Sequence, residues 1–172
     1  MVTVVEASSS SDLDDARRLM RALVEWGREL SVEDRHLIDR YFDPVSFEAE
    51  LASLPGRYAP PAGCLLLAKE GGRSVGCVAM RPLEPGVCEM KRMFIEPEHH
   101  GRGIGKALAT RLIEVARASG YDVMRLDTSR HQAPAIALYQ KLGFQRRSAY
   151  YDAPEGSEGF LLFFEKDLHG QP

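Results

Sequence analysis

Three glycines, Gly101, Gly103 and Gly105, separate an apolar run that ends at Ile95 from a helical-period run that begins at Ile104. No other feature constrains the chain as much. Alternate glycines permit a sharp backbone turn and let a ligand approach without meeting a Cβ. A strand entering such a turn and a helix leaving it present free N–H groups at the positive end of the helix dipole, which is an anion site. Arg102 and Lys106 add counter-charge suited to a pyrophosphate. The run is not a P-loop, because His100 stands where the first motif glycine belongs and Ala107 replaces the hydroxyl. It is not a dinucleotide fingerprint either, since the third glycine of that pattern falls on Lys106.

The elements around the turn can be read coarsely. Val2 to Glu6 is a short β-type run, and Ser8 to Ser11 is a polar break. Asp12 can cap a helix with Leu13, Ala16, Met20, Leu23 and Val24 on one face. Arg28 to Phe42 is polar and weakly periodic, and no element is assigned to it. A second helix starts at Asp43 with Pro44 in its first turn and ends before Pro55-Gly56. Strands follow: Cys64 to Lys69 and Ser74 to Met80 flank Glu70-Gly-Gly-Arg73, a hairpin signal, and Val87 to Ile95 comes after the Glu84-Pro-Gly86 turn. A helix over Gly103 to Ala118 ends at Gly120. Asp122 to Thr128 reads as a buried strand, Ala133 to Leu142 as a helix stopped by Gly143, and Phe144 to Tyr151 and Gly159 to Asp167 as strands. The pattern predicts an α/β protein with an α+β type of mixed sheet, antiparallel hairpins first and a strand–helix–strand unit later. Its 172 residues are expected to form one domain, residues 1–172, large enough to hold a core without disulfides or metal.

Composition removes several function classes. Formal net charge is -3, so no basic excess is available for a nucleic-acid backbone and no nucleic-acid partner is expected. The longest apolar runs, such as Cys64 to Ala68, fall far short of a membrane span, so no membrane partner is expected. Cys64, Cys77 and Cys88 lie in apolar runs without paired spacing and read as small core hydrophobes. His99 and His100 are adjacent on a loop, and His36, His131 and His169 are isolated; no metal is expected. Met1 to Glu6 has no basic-then-apolar pattern, so a reduced cytoplasm is the expected location.

Two segments carry a resemblance. His100-Gly-Arg-Gly-Ile-Gly105 resembles the acetyl-CoA signature of the GNAT superfamily of N-acetyltransferases, Arg/Gln-x-x-Gly-x-Gly/Ala. Downstream, Ala135-Ile-Ala-Leu-Tyr-Gln-Lys-Leu-Gly-Phe144 is similar to the helix and strand start that the family writes Ala-x-x-Leu-Tyr-x-x-x-Gly-Phe. The likeness is strong over Ser74 to Phe144 and limited to element order over the first 60 residues. His100 departs from the usual Arg or Gln, and Gln132 stands where many members carry Asn.

The resemblance implies the GNAT fold, a central splayed sheet flanked by helices, and acetyl-CoA as cosubstrate. It implies that a primary amine of a small molecule attacks the thioester directly. Pantetheine would pair along Met93, Phe94 and Ile95. Pyrophosphate would lie over His100, Gly101, Arg102, Gly103, Ile104, Gly105 and Lys106, with Gln132 nearby. Tyr139 matches the family tyrosine that protonates the departing thiolate; its alternative role is to fill space on an apolar helix face. For the base, Glu89 shares a strand face with Lys91 and Met93 if no bulge intervenes, and Asp127 is the rival. The family places the Arg28–Phe42 region and the loop at Tyr150 and Tyr151 around the acceptor, with Trp26, Tyr41 and Phe42 as candidate lining. Lys91 and Arg92 suggest an acceptor bearing a carboxylate, such as an amino acid. A protein amino terminus or lysine is the alternative acceptor, and a non-catalytic acyl-CoA sensor the alternative role. A homodimer is compatible with the family.

Overall fold

In the computed structural model, which describes residues 1–170, seven strands form one open sheet. β1 (Val2–Glu6), β2 (Cys64–Glu70), β3 (Arg73–Glu84) and β4 (Val87–Ile95) run antiparallel in sequence order. The helix α4 (Ile104–Ala118) then crosses over to β5 (Val123–Ser129), which lies parallel to β4. β7 (Leu161–Asp167) adds antiparallel to β5, and the short β6 (Gln145–Arg147) closes that side, giving the order β1-β2-β3-β4-β5-β7-β6. The remaining helices are α1 (Ser10–Leu30), α2 (Arg35–Tyr41), α3 (Pro44–Ala52) and α5 (Ala133–Lys141).

Both sheet faces are covered, which explains why Cys64 to Ala68 is apolar at every position. Cys64, Leu66 and Ala68 pack in the cluster that contains α4, while Leu65 and Leu67 pack with α1 and α3. The three cysteines are buried, unpaired members of these cores. The β2–β3 hairpin turns on Gly71 and Gly72, both at positive φ (58° and 84°), as a two-residue turn of matching twist requires. No helix of the described residues is long and apolar enough to cross a membrane.

Three expectations need correction. The cap of α1 is Ser9, with Asp12 three residues inside as its reciprocal partner: the Ser9 Oγ accepts from the Asp12 N–H, and the Asp12 carboxylate accepts from the Ser9 N–H. The unassigned Arg28–Phe42 stretch contains the end of α1 and all of α2. A seven-residue helix spans two turns, so periodicity carries little signal; Leu37 and Ile38 bury, and polar contacts hold the rest. The strand expected over Phe144 to Tyr151 is limited to Gln145–Arg147. Beyond it the chain leaves the sheet edge, and Tyr150 and Tyr151 turn their hydroxyls onto buried carboxylates while their rings pack on Phe163.

Candidate active site

The site begins where the two parallel strands part. β4 and β5 pair only between Val87–Glu89 and Val123–Arg125, and no register continues beyond. Past that point β4 remains bonded to β3, and β5 to β7, so a gap opens through the sheet. A cavity of about 70 Å³ fills it, bounded by Met90 to Met93 on one strand and Leu126 to Ser129 on the other. Ile38 and Tyr41 of α2 close it on one side, and Tyr139 of α5 on the other.

A bulge changes what β4 presents. Arg92 is at φ 59°, the one non-glycine residue at positive φ among those described, and the β3–β4 register shifts beside it. Glu89, Lys91 and Arg92 therefore all face the α1–α3 side, where their partners are Tyr150, Tyr41 and Glu50. Met93 falls on the opposite face, against the α4 cluster. The simple alternation that put Met93 beside Glu89 and Lys91 does not hold, because the bulge consumes one residue.

The polar groups are matched to one another. The Asp127 carboxylate, 5% exposed, accepts from the Tyr41 hydroxyl at 2.7 Å and from the Tyr151 hydroxyl at 2.5 Å. Lys91 Nζ donates to the Tyr41 oxygen at 2.6 Å and lies 3.5 Å from Asp127. Burial raises the Asp127 pKa, but the Lys91 charge and the tyrosine hydrogen bonds together outweigh it, and the carboxyl sits below its ordinary range. Glu89 lies off the cavity, held by Arg81 at 2.8 Å and the Tyr150 hydroxyl at 2.6 Å. Arg92 makes a two-pronged contact with Glu50, at 3.0 and 2.6 Å, so its charge and that of Lys91 are both met from within the protein.

Tyr139 is 4% exposed and packs between Phe144 and Phe164. Its hydroxyl has no hydrogen bond to any described residue, although it borders the cavity. Burial first, then the Asp127 charge, push its pKa well above the usual phenol value, so it stays protonated.

A second space adjoins the first, an apolar cleft of about 520 Å³ between the end of β4, the glycine turn and α5. Met93, Phe94 and Ile95 border it, with β3 on one side and no strand on the other, so main-chain groups are available for an extended ligand. Gly101 and Gly103 are at φ 74° and 77°, and a Cβ built on either meets no atom within 4 Å: the space beside the turn is open. Gly103 starts α4 without a side-chain cap, leaving the N–H groups of Ile104, Gly105 and Lys106 without intrahelical partners. A Cβ on Gly105 would come within 3.3 Å of Ile95 and Leu138, so glycine there serves packing. An open cradle of free donors beside a long apolar cleft fits a pyrophosphate followed by an uncharged arm.

Two side chains of the turn lie elsewhere than expected. His100 folds back, its Nε2–H donating to the Ile95 carbonyl at 2.8 Å and its ring set against Trp26. Arg102 points away from the cleft onto Glu70, at 3.0 and 2.5 Å. Lys106 and Gln132 border the cleft, and Gln132 also borders the cavity. Trp26 lines the cleft rather than the cavity, whereas Tyr41 and Phe42 line the cavity. Glu96, Glu98 and His99 cluster below the turn, with Arg18 and Arg73 supplying the charge that balances Glu96. Reading the sequence missed Glu50, Arg81 and Asp34, whose partners lie far along the chain. Asp34 heads α2 and accepts from Arg130 at 2.8 Å and from His131 at 2.6 Å.

Comparison with known proteins places this geometry. A model described as the acetyltransferase (GNAT) family matches residues 35–144. Over 156 residues the chain is 34% identical to an uncharacterised N-acetyltransferase of Schizosaccharomyces pombe, covering 89% of this chain and 88% of that protein. It is 38% identical over 151 residues to an IAA acetyltransferase of Azospirillum brasilense, covering 87% of this chain and 93% of that one. The fold superposes on the PaiA N-acetyltransferase of Thermoplasma acidophilum, solved with coenzyme A, at a TM-score of 0.71 and 19% identity over 97% of this chain and 99% of the other. The sheet that parts at β4 and β5 and the glycine turn beyond it thus belong to a member of the GNAT family of N-acetyltransferases, acyltransferases that use acetyl-CoA as cosubstrate.

Proposed function

We propose that residues 1–172 form one catalytic domain that acetylates a small primary amine. The observation that carries this reading is the small cavity at the strand gap, lined by α2 and aromatic side chains, with an ionised carboxylate and a protonated phenol on its walls. A space of about 70 Å³ suits a small amine better than a protein segment, which needs an extended groove. Because Lys91 and Arg92 are already paired, the acceptor needs no carboxylate.

Bound acetyl-CoA supplies an acetyl group activated as a thioester. The free N–H groups at the start of α4, with Lys106 nearby, are the donors available to its pyrophosphate. The main chain of Met93 to Ile95 holds the extended arm and fixes the carbonyl in place. Gln132, at the junction of the two spaces, adds a side-chain amide. Asp127 faces the amine, which enters neutral and attacks through its lone pair; the carboxylate accepts the one proton that nitrogen sheds as its bond to carbon forms. Tyr139 keeps its proton at neutral pH and donates it toward the departing sulfur. Glu89 orients Tyr150 from behind the cavity and is the weaker candidate for the base.

A thiol-release assay with acetyl-CoA across polyamines, aryl-alkyl amines, amino acids, amino-acid amides and peptides tests the reading. Turnover of a small amine at rates well above those for peptides supports it. Turnover confined to peptides or proteins, or saturable acetyl-CoA binding without turnover of any amine, overturns it.

A further inference from the structure

Two residues, Met93 and Gln132, border both the apolar cleft and the cavity at the strand gap. Gln132 lies on a loop, where it accepts from the Thr128 hydroxyl at 3.3 Å. Met93 belongs to the sheet itself. The Arg92 bulge turns its side chain out of the polar row of Glu89, Lys91 and Arg92 and sets it against the α4 cluster, at the boundary between the two spaces. An unbranched apolar side chain at that boundary meets whatever extends from the cleft toward the cavity. We propose that Met93 sets the length of the acyl chain this enzyme transfers, admitting acetyl and opposing chains two or more methylenes longer.

The assignment rests on reading the cleft as the acyl-CoA site. The cavity beyond Met93 offers about 70 Å³, and the amine must share it with the acyl end. A butyryl chain in that space would have to displace the acceptor or the Met93 side chain. Methionine is flexible enough to yield to one additional methylene, so the limit falls between propionyl and butyryl. Leu138 and Ala135, apolar walls of the cleft contributed by α5, border the cleft alone. Truncation at Met93 therefore joins the two spaces, and truncation at Leu138 widens only the donor side.

The test compares wild type with Met93→Ala, Met93→Leu and Leu138→Ala. Calorimetry with free CoA, S-ethyl-CoA and S-butyl-CoA, which are unreactive, measures binding apart from turnover. Rates with acetyl-CoA and butyryl-CoA measure transfer. In wild type, S-butyl-CoA binds more weakly than S-ethyl-CoA. Met93→Ala raises the butyryl-to-acetyl ratio of kcat/KM by about tenfold or more, the scale that one or two methylenes carry in a fitted apolar pocket. Met93→Leu and Leu138→Ala leave that ratio within about threefold of wild type; free CoA binds wild type and the two Met93 variants alike, whereas Leu138→Ala weakens CoA and both alkyl-CoAs together. A ratio unchanged in a folded Met93→Ala that binds CoA overturns the assignment of Met93 while leaving the donor cleft intact. Failure of wild type to bind free CoA overturns the reading of the cleft itself.

Discussion

The Tyr41 hydroxyl stands between Lys91 and Asp127, accepting from the first at 2.6 Å and donating to the second at 2.7 Å, while the two charges themselves remain 3.5 Å apart. The ion pair is thus completed by a helix residue, and α2 is tied into the sheet at its last position. Tyr41→Phe removes both hydrogen bonds and leaves the shape. The expected cost is about 1–3 kcal/mol of stability, read by denaturant titration, because buried polar groups lose a partner. A fall of about tenfold or more in kcat/KM accompanies it; unchanged stability and unchanged kinetics would show the hydroxyl to be incidental.

Tyr139→Phe should behave in the opposite way. Its hydroxyl makes no hydrogen bond within the described protein, so the unfolding midpoint and the Kd for CoA stay close to wild type. If the phenol is the donor to sulfur, kcat falls by about a hundredfold or more. A variant with full kcat would reduce the residue to packing between Phe144 and Phe164.

Gly103→Ala tests the cradle. The new methyl meets no protein atom within 4 Å, but the backbone is at φ 77°, so a stability cost of about 1–2 kcal/mol is expected from conformation alone. The methyl also projects beside the free N–H groups at the start of α4. CoA should bind at least tenfold more weakly, whereas dephosphorylated pantetheine loses little. Equal losses for both ligands would place the pyrophosphate elsewhere.

The pH dependence follows from two directions of shift. Asp127 is held below its ordinary carboxylate range and Tyr139 above its ordinary phenol range, so neither changes protonation between about pH 6 and 9. Over that window kcat/KM for an alkyl amine should rise about tenfold per pH unit, following the neutral fraction of an amine whose pKa is about 10. An enzyme group titrating near neutrality would instead bend the profile, which measurements with amines of different pKa would detect.

Asp12 offers a stability test remote from the site. The hydrogen bond from Lys69 at 2.6 Å, then those from the Ser9 and Ser8 N–H groups, hold its pKa well below the usual range. A depressed folded-state pKa gives stability that is present above the unfolded value of about 4 and lost as pH falls through the folded one. Asp12→Asn should cost about 1 kcal/mol at pH 7, and the gap from wild type should narrow below about pH 4 in urea titrations.

Legibility in the sequence divided along the site. The donor half is local: β4, the glycine turn and α4 follow one another, so strand pattern, glycine spacing and helix periodicity reveal it together. The acceptor half is assembled from distant positions. Tyr41 meets Asp127 across 86 residues of chain, Glu89 meets Tyr150 across 61, and Arg92 meets Glu50 across 42. Periodicity compares near neighbours and is blind to such pairs. The bulge was hidden for another reason: Arg92 occupies the left-handed region without glycine or asparagine to announce it. α2 escaped notice because Leu37 and Ile38 are its only buried apolar positions. The contacts that fasten Asp34 to Arg130 and His131 leave no local pattern.

The single additional residue at Arg92 also bears on how such an enzyme can diverge. Upstream of it, β4 sends its polar side chains toward α2 and α3; downstream, the strand serves the cleft mainly through its backbone. Substitutions at Glu89, Lys91 or Arg92 can retune the amine while the handling of the acyl donor is inherited unchanged. Loss of the bulged residue would cost more: it would restore strict alternation with Lys91 and Phe94 still opposite Ala79 and Cys77, but would remove the extra position that sets Arg92 beside Lys91 and against Glu50. Relatives with new acceptors are therefore expected to differ by replacement along this strand and to keep its length.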